Sequence, residues 1–423
     1  MTVTWTSGYD VSEAYPFVEW GMVGAAGTRT PAGTLTFNRG SMCGEPARTV
    51  GWREPGFIHT AFMRNLWPNK EYVLTRLGMS SPTEPWCGLS PTPSGHRQPP
   101  GRTRCSASSS SVTWERAERD GSNEFANYQP GSLNTTDRLI EDLDNYDIVF
   151  HIGDMPYANG YLSQWDQFTA QVAPSAPRSP TWLHTRGTGP TPVDFSTSRT
   201  PAANAVCRPR PCTTTQPKTE QTFGGMFRFC VADSEHDWRE GTPQYKFIEE
   251  CLSTVDRKHQ PWLIFTAHRV LGYSSNSWYA DQGSFEEPEG RESLQKLWQK
   301  HRVDIAYFGH VHNYERTCPL YQSQCVNNER SHYSGTMNGT IFVVAGGGGS
   351  HLSEYTTAIP KWSIFRDHDY GFTKLTAFNH SSLLFEYMKS SDGKVYDSFT
   401  IHRDYRDVLS CVHDSCFPTT LAS

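Results

Sequence analysis

A two-part fold is predicted: an N-terminal β-sandwich, followed by an α+β or α/β unit in which a layered β-sandwich is flanked by helices. Three observations predict it. Short strand-like runs separated by Gly, Pro and Asn turns fill residues 1–78. Beyond residue 117, apolar runs of buried-strand type alternate with amphipathic helical stretches. A closing series of β-runs, with no helices between them, ends near residue 402.

In the first part, Met1–Trp5, Phe17–Gly21, Thr34–Phe37 and Gly56–Ala61 carry the strand pattern. Residues 79–116 change character: Pro, Ser, Thr, Gly and Arg dominate, no apolar period survives, and the stretch reads as irregular. Residues 174–222 read the same way. In the second part, 117–402, Leu139–Leu143 sits in a short amphipathic helix, and Tyr146–Ile152 is a buried strand running into Gly153-Asp154. Met226–Val231 is strand-like, and Tyr245–Val255 is helical with Phe247, Ile248 and Leu252 on one face. Trp262–Phe265 is a buried strand running into His268. Leu294, Leu297 and Trp298 give Glu292–Lys300 a core-facing helical stripe. Val303–Phe308 leads into Gly309-His310-Val311-His312, and Thr340–Ala345 into four glycines. Three β-runs fill Gly371–His402, with Ser391-Asp392-Gly393 as a hairpin turn, and 403–423 form a tail.

With 423 residues, 36% hydrophobic and 13% aromatic, the chain can bury sizeable cores. A net charge of −6 spread along the sequence argues against nucleic acid as the main partner, which would call for a concentrated basic patch. No apolar run reaches the length of a membrane span. The opening residues lack the basic and apolar regions of a signal peptide. Three sequons, at Asn134, Asn338 and Asn379, nevertheless suit a glycoprotein, and the close cysteine pairs Cys318/Cys325 and Cys411/Cys416 suit small-loop disulfides in an oxidising compartment. The expectation is a secreted, extracellular protein whose signal peptide is missing from this chain.

Three strand ends carry metal-ligand residue types, and strand ends are where α/β folds place their sites. In Gly153-Asp154-Met155-Pro156-Tyr157, Asp154 either caps a turn or reaches a cation, and Tyr157 can supply a phenolate, a hard ligand for Fe(III). Taken alone, His268 is either a hydrogen-bonded structural residue or a ligand. His310 and His312, two residues apart after a buried strand, can present both imidazoles to one side and contact neighbouring metals. The acidic run Asp233, Glu235, His236 and Asp237 reads as a turn that is solvated or supports a ligand from behind, and Gly346–Gly349 as a close-packed turn near His310 or a support for the ligands there, rather than a nucleotide cradle.

In this order the three strand ends resemble the calcineurin-like metallophosphoesterase pattern. The flanks "FHIGDMPYANGYLSQWDQF", "FRFCVADSEHDW", "PWLIFTAHRVLGYSS", "YFGHVHNYERTCPLY" and "YGFTKLTAFNHSSLLFEY" are similar to the large plant purple acid phosphatases. "MTVTWTSGYD" and "RTVGWREPGFIHT" resemble that family's fibronectin-III-like N-terminal domain. The resemblance implies a metallophosphoesterase domain that hydrolyses phosphate monoesters at acidic pH by a metal-bound hydroxide, using Fe(III) and a divalent Zn, Mn or Fe ion. It assigns Asp154 as the bridging carboxylate, Tyr157 and His312 to the iron, and His268 and His310 to the divalent ion. The implied partner is a small phosphate monoester, with a homodimer among the assemblies the family allows. A phosphodiesterase of the same fold, or an inactive secreted glycoprotein acting by binding, are the competing readings.

The sequence departs from the family pattern in two places. No Gly-Asp-x-Gly precedes Ala117-Glu118-Arg119-Asp120-Gly121, and no Gly-Asn-His-Glu falls near 185–190. One ligand of each metal is therefore absent. After His268, the run Arg269-Val270-Leu271-Gly272-Tyr273 also lacks the family's substrate-facing histidines. If Ser108–Ser111 are encoded by TCN codons, reading one base earlier gives four apolar residues and then permits Gly-Asp-Met-Gly. Gly189-Pro190-Thr191-Pro192, shifted likewise, permits Trp-Pro-Asn-Thr. Both segments read as frame-disrupted, the second with sequence deleted as well.

Overall fold

The computed structural model describes residues 2–66 (apart from 11, 23, 26 and 43), 72–80, 87–89, 107–110, 130–153, 160–172 and 174, 182–184, 226–276 (apart from 235) and 287–404 (apart from 336 and 350). The chain divides into two units: Met1–Arg102 with Ala158–Asp166 and Ala203–Pro211, and the remainder.

The first unit holds two antiparallel sheets. One orders β1 (Thr2–Ser7), β5 (Phe57–Phe62) and β4 (Gly33–Leu35); the other orders β3 (Thr28–Pro31), β2 (Tyr15–Met22), β6 (Tyr72–Ser80) and β7 (Cys87–Leu89). Strand alternation turns Val18 and Trp20 of β2 to the same side, where they pack with Ala61, Met63, Val3, Trp5, Leu74 and Leu77. The result is a small β-sandwich.

In the second unit the short parallel sheet β10 (Trp182–His184), β9 (Ile148–His151), β8 (Ala107–Ser110) lies beside a larger sheet. That sheet orders β11 (Phe227–Ala232), β12 (Trp262–Ala267), β13 (Ile305–Phe308), β17 (Thr340–Ala345), β14 (Tyr314–Tyr321) and β15 (Gln324–Cys325), with β18 (Ser363–Asp367) also on β14. β11, β12, β13 and β17 run parallel, so their carboxyl ends share one edge. A four-stranded sheet orders β16 (His332–Ser334), β21 (Val395–His402), β20 (Ser382–Lys389) and β19 (Gly371–Asn379). Among the described residues the α-helices are α1 (Pro130–Glu141), α2 (Leu162–Val172), whose residues up to Asp166 belong to the first unit, α3 (Pro243–Ser253) and α4 (Glu287–His301).

The continuous apolar runs are explained by burial on both faces. In β12, Trp262 and Ile264 join Ile305, Tyr307, Ile341 and Val343 against Phe385 and Phe399 of the four-stranded sheet. Leu263 and Phe265 alternate to the other face, with Phe308 and Phe342, and meet Ile248 and Leu252 of α3 and Leu294, Leu297 and Trp298 of α4. Thr242 caps α3, its hydroxyl accepting from the Tyr245 N–H at 3.2 Å, and the disulfide Cys230–Cys251 ties the helix to β11.

The structure differs from the sequence-based expectation in two ways. The stretches read as irregular contain strands: β6 runs to Ser80, β7 and β8 lie in 79–116, and β10 lies in 174–222. β8 and β10 form because the two edges of β9 offer backbone donors and acceptors, with Ser109 and Leu183 both opposite Phe150. A strand not foreseen, β14, runs through the buried polar residues Tyr314, Glu315, Arg316 and Thr317. It is stable inside the sheet because Asp397 takes bonds from Arg316 Nε and Nη2 at 2.6 and 2.8 Å and from the Tyr314 hydroxyl at 2.7 Å. The Cys318–Cys325 disulfide joins β14 to β15; Cys411 and Cys416 lie outside the described residues.

Candidate metal centre

β12 and β13 end side by side, and the Gly309 N–H donates to the His268 carbonyl at 2.9 Å, so the two histidine-bearing loops start in register. Tight turns follow. The Val311 N–H donates to the Gly309 carbonyl at 2.6 Å, and the Asn313 N–H to the Val311 carbonyl at 2.9 Å. Between them His310 has φ +61°, left-handed backbone that few non-glycine residues adopt. Such conformations persist where the surroundings enforce them. Here Gly346 presses on the turn: a Cβ at that position would stand 1.9 Å from the Val311 carbonyl oxygen. The glycines after β17 therefore form the close-packed turn that the sequence suggested.

His268 is 1% exposed, and its Nδ1 lies 3.0 Å from the Ile152 carbonyl oxygen. A carbonyl can only accept, so Nδ1 carries the proton and the lone pair sits on Nε2. That Nε2 is 3.2 Å from His310 Nδ1, the two rings meeting edge to face. Gly153 makes the contact with Ile152 possible. Its φ is +108°, and a Cβ there would fall 2.3 Å from His268 Nδ1. The glycine of the Gly-Asp pair is thus explained by the histidine beside it.

His312 is 5% exposed and fixed in the same manner. Its Nδ1 donates to the His351 carbonyl at 2.8 Å, its N–H donates to Ser353 Oγ at 3.1 Å, and its carbonyl accepts from the Ser353 N–H at 2.9 Å. The His351 ring packs edge-on against the His312 ring with centroids 5.0 Å apart, and burial, then the neighbouring His312, holds its pKa below the usual histidine value. His351 and Ser353 were not singled out from the sequence. The only signal pointing to them is their place just beyond the glycine turn that closes on His310.

These residues fit a metal site. Two nitrogens each about 2.0–2.1 Å from a tetrahedral zinc-type ion stand roughly 3.3 Å apart, and His268 Nε2 and His310 Nδ1 are 3.2 Å apart. Orienting a ligand imidazole through a bond from its other nitrogen is the usual supporting arrangement at metal sites, and His268 and His312 both have it. Of the five candidate ligands, the structure brings His268 and His310 into contact and places His312 on the same loop as His310. Asp154 and Tyr157 lie outside the described residues. Among the described residues, no three His, Cys, Asp or Glu side chains converge to hold one ion. The acidic run after β11 is a surface turn: His236 pairs with Asp233 at 3.1 Å and Asp237 with Arg239 at 2.5 Å, and Glu235 lies outside the described residues. The sequon residues Asn134, Asn338 and Asn379 are all exposed.

Residues 339–398 match the model of the iron/zinc purple acid phosphatase-like protein C family. A Hordeum vulgare nucleotide pyrophosphatase/phosphodiesterase is 80% identical over 323 residues, covering 73% of this chain and 86% of that protein. Probable inactive purple acid phosphatase 24 of Arabidopsis thaliana is 60% identical, over 100% of this chain and 70% of its own length. The structure of purple acid phosphatase PPD1 from yellow lupin (Lupinus luteus) seeds superposes with a TM-score of 0.85 at 54% identity, over 100% of this chain and 75% of that one. With an N-terminal β-unit, a sheet sandwich and three histidines at the carboxyl ends of its strands, the chain belongs to the purple acid phosphatase family.

Proposed function

We propose that this chain carries the site of an acid phosphatase acting on phosphate monoesters, with one metal position better prepared than the other. The observation that carries the reading is the His268–His310 pair, two nitrogens 3.2 Å apart with His268 locked by the Ile152 carbonyl. These two would hold a divalent Zn, Mn or Fe ion. His312 would serve Fe(III), together with Asp154 and Tyr157. When bound, the ions supply positive charge opposite the phosphoryl oxygens and an acidified water as nucleophile. The chain's own residues supply preorganisation: carbonyls 152 and 351 fix two imidazoles, and the glycines at 153 and 346 let backbone and ring approach.

The sequence lacks a Gly-Asp-x-Gly and a Gly-Asn-His-Glu, so each ion has one ligand fewer than the family pattern supplies. Affinity and turnover should fall below those of complete relatives. The name of the Arabidopsis relative, probable inactive, is in keeping with that. The name of the barley relative favours a second reading, hydrolysis of nucleotide pyrophosphates and phosphodiesters. The exposed sequons support secretion as a glycoprotein. A homodimer is compatible with the family. Among the described residues, no helix is long and apolar enough to cross a membrane.

Metal analysis combined with turnover of p-nitrophenyl phosphate and its bis ester tests the reading. Close to two ions per chain, a visible charge-transfer band and faster monoester cleavage are expected. Faster diester cleavage would establish the second reading. Less than one ion per chain with no turnover of either ester would leave a protein that acts by binding alone.

A further inference from the structure

We infer that Glu315 is a positioning residue that holds both histidine-bearing loops in place through one closed hydrogen-bonded circuit. Glu315 lies on β14, three residues beyond His312, and is 1% exposed. Its carboxylate accepts the Ser275 N–H at 2.6 Å, the Ser275 hydroxyl, and the Ser363 hydroxyl at 2.6 Å. Ser275 sits in the loop that leaves β12 through His268, so the first two bonds pin that loop to the strand that follows His312.

The circuit continues through Thr356. Its N–H donates to the Ser275 carbonyl at 2.9 Å and its hydroxyl to the same oxygen at 3.2 Å. Asn276 Nδ2 donates to the Glu354 carbonyl at 2.8 Å, and Arg366 Nη1 donates to the Thr356 carbonyl at 3.2 Å. Three residues earlier, Ser353 exchanges bonds with the His312 backbone, and the His351 carbonyl takes the His312 Nδ1 proton. The path from His312 along β14 to Glu315, across to Ser275, on to Thr356 and back through 353 and 351 therefore returns to the His312 ring. Two of the three donors come from Ser275 and one from Ser363, so this buried carboxylate ties the loop after β12 and the start of β18 to β14, and such a network is worth more than its bonds taken singly. If Glu315 is neutralised, the 275–356 junction loosens and the carbonyl that sets the His312 tautomer is free to move.

The part of this inference that concerns metal rests on the proposed reading of His312 as a ligand; the part that concerns the ring does not. The test uses the full chain labelled with 15N-histidine, with long-range nitrogen–proton correlation spectra to read the His312 tautomer and a cobalt(II) titration read by its visible bands. In the unaltered chain, His312 is expected as the Nδ1–H tautomer. Glu315→Gln should convert it to a mixture of tautomers and weaken cobalt binding about 10- to 100-fold, the range for loss of a group that orients a ligand. Ser363→Ala removes a bond to β18 that lies off the circuit, and should leave the tautomer and affinity within about twofold, whatever it does to melting temperature. The double variant Asn276→Ala/Thr356→Val removes both side-chain links across the 275–356 junction, leaving only the Thr356 N–H bond; it should move the tautomer in the same direction as Glu315→Gln and covers the case in which the latter does not fold. A single Nδ1–H tautomer retained in folded Glu315→Gln or in the double variant would overturn the inference, as would Ser363→Ala matching their effect. Failure of the unaltered chain to bind cobalt would count against the proposed function, while the tautomer readout would still judge the circuit.

Discussion

The carboxyl ends of β12 and β13 and the strand pair β8–β9 lie in the same unit and face opposite circumstances. Every residue of β12 from Trp262 to Ala267 is buried, and the loops beyond it are bonded turn by turn. At the other place, β9 is equally buried, yet the strand paired along it is Ala-Ser-Ser-Ser. A strand of serines brings little apolar volume and weak strand preference to a position where its neighbour offers Val149 and Phe150. Side chains are held in a fixed geometry best where packed strands stand behind them. The comparison therefore teaches that the loops carrying His268 and His310 are preorganised by the core behind them, whereas β9 has along one edge a strand whose sequence offers no large apolar residue.

Four changes would break or sharpen this contrast, from the largest expected effect to the smallest. Asp397→Ala strikes the packed side hardest: it strands the buried Arg316 guanidinium and the Tyr314 hydroxyl, and should cost about 3–5 kcal/mol in chemical denaturation. Were the loss under about 1 kcal/mol, the packed side would not be the rigid half. Gly153→Ala acts where the two regions meet. It forces left-handed backbone on alanine and drives a methyl into the His268 ring, for a loss of about 1–3 kcal/mol together with the His268 Nδ1–H signal in nitrogen–proton spectra. Replacing Ser108 and Ser109 with valine tests the weak side in the opposite sense, and should raise stability by about 1 kcal/mol, seen as a higher melting temperature. No gain would show that β8 is not limited by its composition.

The smallest effect concerns pH. Burial, then the adjacent Lys300, lowers the His301 pKa from 6.5 to about 4. As pH falls, the unfolded imidazole takes up its proton first, so stability present above pH 6.5 is lost towards pH 4. His301→Gln should make the fall in melting temperature between those two values slightly shallower; an unchanged slope would assign the acid sensitivity to other groups.

Much of this organisation could be read from the residues themselves. Trp262–Phe265, Ile305–Phe308 and Ile341–Ala345 are apolar without interruption, as a strand covered on both faces requires, and His268, His310 and His312 follow directly from where two of those strands stop. The Ser-Asp-Gly turn between β20 and β21 was equally plain, with Gly393 at φ +70°. β14 was not legible, because Tyr314-Glu315-Arg316-Thr317 satisfies its buried polar groups through Asp397, Ser275 and Ser363, partners far away in sequence. β8 escaped for a related reason: its pairing comes from the edge of β9, and serine itself gives no hint of it. Cys230–Cys251 could not be deduced from spacing, since eleven cysteines permit many pairings. His351 acts through its main-chain oxygen, which any residue possesses, and two of the three bonds at Ser353 likewise use its main-chain N–H and carbonyl.

The φ of +61° at His310 also bears on how this site can change over time. Glycine, asparagine and aspartate enter that region most readily, whereas valine, isoleucine and threonine are nearly barred from it. A library randomised at position 310 would therefore be filtered twice, once by what the main chain tolerates and once by what the chemistry needs. Asparagine, a single base change from histidine, passes the first filter and offers an amide oxygen in place of an imidazole nitrogen, so exchange of a nitrogen donor atom for an oxygen is open at this turn while most other replacements are closed.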